Sequence, residues 1–153
     1  MNILVSKNLS AYSILARSFT TSAVSCSRWS DLVNRTKEQH GIQEITADEL
    51  NAQLGGQTPA PVLIDVREAE EWKGGKLPQA VCLPRGITEL KVEKVVSPDS
   101  DQPIVVYCAG GLRSVMTAAS LIGMGYKKEN IRSLIGGFGT WSKKGYTVVS
   151  HDD

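Results

Sequence analysis

From residue 43 onward the chain alternates short apolar runs with stretches that have helical spacing. The clearest run is PIVVYC, residues 103–108. Ile104, Val105 and Val106 are contiguous and β-branched, which favours a strand. PVLIDV, residues 61–66, is a second apolar run bounded by turn residues, the pattern of a buried strand. Gln43–Ile45, AVCLP (80–84) and IRSLI (131–135) are shorter strand candidates. Between the runs the period changes. TADE opens a helix with Thr46 as N-cap and Glu49 three residues on, a capping-box pattern. Ala47, Leu50 and Leu54 share one face of it, and Gly55-Gly56 stops it. REAEEWK predicts a brief helix ended by Gly74-Gly75, and ITELKVEKVV a further one. Val115, Ala118, Ala119 and Ile122 predict a helix over 114–125. GGFGTWSKKG supplies a last short helix, with Lys143 and Lys144 in its final turn and Gly145 as its stop. VSPDSDQP, residues 96–103, reads as a loop. Apolar strands separated by helices predict an α/β fold whose mainly parallel sheet is covered on both faces. In such sheets chemistry sits beyond the carboxyl ends of the strands, and Cys108 stands at one of these ends.

Composition narrows the picture. The chain has 153 residues, 41% of them hydrophobic, and a formal net charge of +1. That suits one compact domain with a short extension, and it leaves no electrostatic footprint for nucleic acid or a membrane surface. No apolar run approaches the ~20 residues of a membrane span. Cys26, Cys82 and Cys108 are widely spaced with no CxxC pair, so neither a disulfide framework nor a metal site is expected.

Residues 1–30 differ in kind. They contain no Asp or Glu, carry Lys7, Arg17 and Arg28, and are rich in Ser, Thr and Ala. This composition predicts a mitochondrial transit peptide and hence a mitochondrial address, with the matrix as destination. ARSFTTSAVSCS resembles a two-step mitochondrial processing site, with Arg17 two before Phe19 and Ser22 three after it. A secretory signal needs a continuous apolar stretch, and AYSILA is short and interrupted. A disordered tail with no address is the plainer alternative. On the transit-peptide reading, Cys26 falls in or beside the removed part.

CAGGLRS, residues 108–114, carries the strongest chemical signal. A cysteine in a strand is ordinarily a small core residue, which is how Cys82 reads. The neighbours of Cys108 change that reading. Ala109, Gly110 and Gly111 let the backbone curl so that successive N–H groups point inward. Ser114 is expected to cap the next helix, whose N-terminus adds partial positive charge. Arg113 adds a full charge. Together these favour thiolate over thiol, and the same cradle suits an anionic substrate. A plain turn accounts for the two glycines, but not for the cysteine and arginine that flank them. His40 and His151 are the only histidines and lie near the ends of the expected folded region, which makes a Cys–His dyad the weaker reading. The spacing is also not that of a nucleotide-binding P-loop.

CAGGLRS resembles the active-site loop of the rhodanese family, Cys-x-x-Gly-x-Arg-Ser/Thr, with Cys108, Gly111, Arg113 and Ser114 at the matching positions. VLIDVREAEEWKGGKLPQAVCLPRG (62–86) is similar to that family's Asp-x-Arg strand end and glycine-to-proline turn. LIGGFGTW (134–141) is similar to its Gly-Gly-x-x-x-Trp segment. GGKLPQA departs from the usual Gly-His-Ile-Pro-Gly-Ala, at a histidine that is not catalytic in the family. The resemblance covers residues 41–149. It implies a rhodanese-like α/β domain with a five-stranded, mainly parallel sheet and helices on both faces. It also implies a thiosulfate sulfurtransferase that needs no cofactor. Cys108 would take a sulfane sulfur from thiosulfate or a related donor as a persulfide, then pass it to cyanide or to a thiol such as glutathione or thioredoxin. Ala109, Gly110, Gly111, Leu112, Arg113 and Ser114 would bind the donor. Asp65 and Arg67 match the family pair that braces the loop; the plainer reading is a surface ion pair. Arg85, in LPRG, is a candidate for steering an anion, or simply an exposed arginine. Phe138 and Trp141 read as core and cover. Two alternatives remain. Catalytically silent rhodanese-like modules bind partners, and these usually lack the cysteine. Cys-dependent phosphatases share the fold, but their loop holds five residues between Cys and Arg, where this chain has Ala109, Gly110, Gly111 and Leu112.

Overall fold

In the computed structural model, which describes residues 27–56 and 60–151, every expected strand is present. They are Gln43–Ile45 (β1), Val62–Asp65 (β2), Val81–Cys82 (β3), Ile104–Tyr107 (β4) and Ile131–Leu134 (β5). All pairings are parallel, in the order β1-β5-β4-β2-β3. The sheet is therefore wholly parallel. Its central strand, β4, is buried along its whole length, which is why its apolar residues are contiguous rather than alternating. Asp65 is in register with Tyr107 on one side and Cys82 on the other, so the carboxyl ends of β2, β3 and β4 lie together.

Among the described residues six helices cover the sheet: Arg28–His40 (α1), Ala47–Leu54 (α2), Ala69–Trp72 (α3), Thr88–Lys91 (α4), Leu112–Gly123 (α5) and Gly137–Lys143 (α6). Strand alternation divides the core in two. Ile104, Val106 and Cys108 pack with Val33 of α1 and with Val115, Ala118 and Leu121 of α5. Val105 and Tyr107 face the other way, onto Ala47 and Leu50 of α2 and Trp141 of α6. The tail is tied down where Lys76 and Val149 exchange backbone hydrogen bonds of 2.9 and 3.0 Å.

Three differences from expectation stand out. Helix α1 has no counterpart in the sequence pattern; its first residues, Arg28–Ser30, belong to the acid-free tract, whose first 26 residues, Cys26 included, lie outside the described region. ITELKVEKVV forms a single α-turn, α4, and then a 3-10 turn at Val92–Lys94, with Leu90 exposed and Val92 buried. Helix α5 starts at Leu112, two residues before Ser114. Among the described residues no helix is long and apolar enough to cross a membrane, and no cluster of His, Cys, Asp or Glu could hold a metal.

Candidate active site

Cys108 comes directly after the last residue of β4 and is 1% exposed. The Gly111 amide donates to its Sγ at 3.1 Å. To bring that amide onto the sulfur, Gly111 takes a left-handed φ of +88°, and an added Cβ would sit 2.9 Å from Gly136 N and 3.1 Å from Leu134 O. Only glycine fits there. Gly111 is also the N-cap of α5, so the helix starts immediately after the sulfur-bound amide and directs its positive end at the thiol. Gly110, by contrast, has open space around it.

The expected cap at Ser114 is corrected by this geometry. Ser114 lies inside the first turn and is fully buried. Its hydroxyl donates back to Gly111 O at 3.0 Å and lies 2.8 Å from Ser133 Oγ and 3.8 Å from Cys108 Sγ. The glycine turn that places the amide already begins the helix, and this leaves Ser114 free to approach the sulfur from beneath. Leu112 is 41% exposed at the rim of the loop, and Ala109 is half-buried.

A second loop holds the first. The Phe138 amide donates to Cys108 O at 2.8 Å and the Gly139 amide to Ala109 O at 2.9 Å. These bonds fix the chain at the sulfur-bearing residue and immediately after it. They require Gly137 to pass so close that a Cβ would be 2.1 Å from Cys108 O.

Asp65 and Arg67 are not a surface ion pair; they are 0% and 2% exposed. Arg67 Nε bonds both Asp65 oxygens at 3.0 Å and its NH2 group bonds Oδ2 at 2.6 Å. Burial works against the Arg67 charge, but the Asp65 hydrogen bonds and charge more than offset it, leaving the guanidinium harder to deprotonate than usual. The remaining donors reach Glu71 O at 3.1 Å and Gly75 O at 2.7 Å. The guanidinium also lies 4.0 Å from the centre of the Phe138 ring. Arg67 thus touches both supports of the loop: Phe138, and α3, which carries Glu71. Beside this pair, burial, reinforced by the Asp65 charge, keeps the Tyr107 phenol protonated, and its oxygen accepts from the Leu77 amide at 3.1 Å.

Glu71 is the residue that sequence reasoning missed. Its two carboxylate oxygens take the Arg113 guanidinium in a bidentate pair at 2.8 and 2.8 Å, which fixes the arginine beside the sulfur loop. The only signal in the sequence was three acids in REAEEWK, with nothing to single out Glu71. The Arg113 contact holds the Glu71 carboxyl at about 2, below its ordinary 4.5, against the opposing effect of burial. The Arg113 charge is reinforced in turn, chiefly by Glu71. A depressed carboxyl pKa stabilises the fold above the unfolded-state value, and that contribution fades as pH falls through the folded-state value. The melting-temperature gap between wild type and Glu71→Gln is therefore expected to be constant above about pH 4.5–5 and to close between there and about pH 2. A gap that persists at the acid end would show that the ion pair is not its source.

The side chains of the remaining candidates make no hydrogen bond or ion pair to Cys108 or Arg113 among the described residues. The Arg85 guanidinium is paired with Glu89 at 3.0 Å. Cys82 is half-buried rather than a core residue, with Sγ 3.7 Å from His151 Nδ1 and its thiol shifted up by burial. Cys82 is in register with Asp65, as is Tyr107 on the other side, and Tyr107 packs in the opposite half of the core from Cys108, so the two thiols belong to different faces of the sheet. Trp141 is core, as expected, and Phe138 is the half-buried cover over Arg67.

Residues 46–144 match the family model of the rhodanese-like domain. A sulfurtransferase from Allochromatium vinosum is 28% identical over 109 residues, 71% of this chain and 96% of that protein. The thiosulfate sulfurtransferase GlpE of Pseudomonas savastanoi pv. phaseolicola is 34% identical over 80 residues, 52% of this chain and 71% of its own. A solved structure from Rhodopseudomonas palustris, described as a possible tyrosine phosphatase, superposes with a TM-score of 0.66 at 28% identity, covering 76% of this chain and 93% of its own. With the family model spanning well over half its length and its cysteine loop in place at the end of β4, the chain belongs to the rhodanese-like domain family.

Proposed function

We propose that this protein is a sulfurtransferase that moves a sulfane sulfur from thiosulfate, or a related donor, to a thiol through a persulfide on Cys108. The observation that carries the reading is the Gly111 amide on Cys108 Sγ at 3.1 Å, at the positive end of α5. An amide and a helix terminus fixed in advance stabilise negative charge on sulfur without reorganising during reaction. In the first half-reaction the Cys108 thiolate attacks the outer sulfur of thiosulfate. A new S–S bond forms at Cys108, the S–S bond of the donor breaks, and sulfite leaves with the bonding pair. In the second half-reaction the acceptor attacks the outer sulfur of the persulfide and regenerates the thiolate. Arg113, held in place by Glu71, offers positive charge to the incoming donor. Cysteine sulfur supplies all the covalent chemistry, so no step calls for a metal or an organic cofactor.

The phosphatase alternative is disfavoured by the loop. Four residues between Cys108 and Arg113 close a tight ring, with the Gly111 amide already on Sγ. A tetrahedral phosphoryl group needs a wider cradle. The silent-module alternative gives no reason for an amide aligned on a retained thiol. Thiosulfate with a thiol acceptor should release sulfite at a rate that falls to background in Cys108→Ser. Hydrolysis of an aryl phosphate faster than sulfite release would overturn the assignment.

A further inference from the structure

Ser133 sits on β5 in the face covered by α5, and it is fully buried. Among the described residues its hydroxyl has one hydrogen-bond partner, Ser114 Oγ at 2.8 Å. Ser114 Oγ has two others: Gly111 O, which only accepts, at 3.0 Å, and Cys108 Sγ at 3.8 Å. Each hydroxyl has one proton to place. If Ser114 gave its proton to Ser133, the Ser133 proton would be left in an apolar core with no acceptor. That arrangement wastes a buried donor. The favoured arrangement has Ser133 donating to Ser114, so that the Ser114 proton must point into the loop, at the Gly111 carbonyl or at the sulfur. A hydroxyl that accepts one hydrogen bond donates the next more strongly. When the sulfur carries charge, the Ser114 proton has only to swing from the carbonyl to Sγ.

We infer that Ser133 is a positioning residue for Cys108. By donating to Ser114 it polarises that hydroxyl, whose proton faces the loop and adds a second, strengthened donor to the anionic sulfur beside the Gly111 amide. The role serves the sulfur transfer proposed above and rests on that reading for its purpose. The hydrogen-bond chain itself is tested without sulfur transfer.

The test is the pH dependence of Cys108 alkylation by iodoacetamide, followed on the Cys108 peptide by mass spectrometry. Ser133→Ala should raise the midpoint of the profile by about half a pH unit, a roughly threefold slower reaction below the midpoint. Ser133→Thr keeps the hydroxyl and should stay at the wild-type midpoint. Ser114→Ala should shift the midpoint at least as far as Ser133→Ala. The double variant should shift no further than Ser114→Ala alone, because Ser133 acts through Ser114. An unmoved midpoint in Ser133→Ala overturns the inference. So does a full additional shift in the double variant, which would make Ser133 a packing residue independent of Ser114. Sulfur uptake from thiosulfate, measured on the same samples, reports separately on the proposed function. Loss of uptake in wild type with the midpoint shifts intact would sink the transferase reading and leave the positioning role standing.

Discussion

Gly137→Ala is expected to melt about 12 °C below the wild type and to lose an ordered Cys108 loop. A Cβ at position 137 would fall 2.1 Å from Cys108 O and 2.9 Å from both C and O of Ala109, backbone atoms that cannot rotate away. The residue also holds a left-handed φ of +53°, which costs a side-chain-bearing residue about 1–2 kcal/mol. Overpacking costs about 1–3 kcal/mol. The displaced turn would also strain the Phe138 and Gly139 hydrogen bonds to Cys108 and Ala109, each worth about 1 kcal/mol. These effects overlap, so about 4 kcal/mol is expected, and a domain of this size loses about 3 °C per kcal/mol. Gly123→Ala, where an added Cβ meets nothing within 4 Å, is the control and should melt at or slightly above the wild-type temperature. Calorimetry on the three proteins decides the matter. An unaltered melting point for Gly137→Ala would mean that the 134–139 segment does not hold the active loop as the geometry requires.

Arg67→Met should cost a similar amount for a different reason. It leaves the Asp65 carboxylate, 0% exposed, without its partner. An uncompensated buried charge of this kind costs about 3–5 kcal/mol. The same substitution removes the support at Glu71 O and Gly75 O and the cation over Phe138, so both braces of the Cys108 loop slacken together. Asp65→Asn combined with Arg67→Met removes the stranded charge and should recover part of the loss. A surface pair would contribute about 0–1 kcal/mol. Denaturant unfolding that puts Arg67→Met within that range would contradict the buried-brace assignment.

Much of this architecture was legible from the residues, and the exceptions have physical causes. β4 and β2 were readable because both faces of the sheet are covered, so their apolar residues run together in the sequence. The start of α2 was readable because its cap is local. Thr46 Oγ1 accepts from Glu49 N at 3.2 Å, and Glu49 Oε2 accepts from Thr46 N at 2.9 Å. Helix α1 escaped because its apolar residues, Trp29, Leu32 and Val33, occupy one short turn beside the acid-free tract, and the rest of the helix is polar. Its caps were the available signal: the Ser27 hydroxyl at one end and Gly41, with φ 60°, at the other. Cys108, Gly111 and Arg113 were readable because one tight loop carries them in order. Glu71 was not, because it lies on α3 and meets Arg113 of α5 across 42 residues. Ser114 suggests a cap because serine commonly fills that place. Gly111 occupies it here, because the φ that brings its amide to the sulfur also starts the helix. Ser133 gave no signal at all. A single serine inside a short strand has no local partner, and its place behind the sulfur comes from the pairing of β5 with β4.

The central claim is that Cys108, seated on the Gly111 amide at the head of α5, accepts and holds one extra sulfur. Intact-protein and peptide mass spectrometry after incubation with thiosulfate measures this directly. The account predicts a gain of one sulfur atom located on Cys108, absent in Cys108→Ser and removed by added thiol. Wild-type protein that gains no sulfur, or a gain that persists in Cys108→Ser, would contradict it.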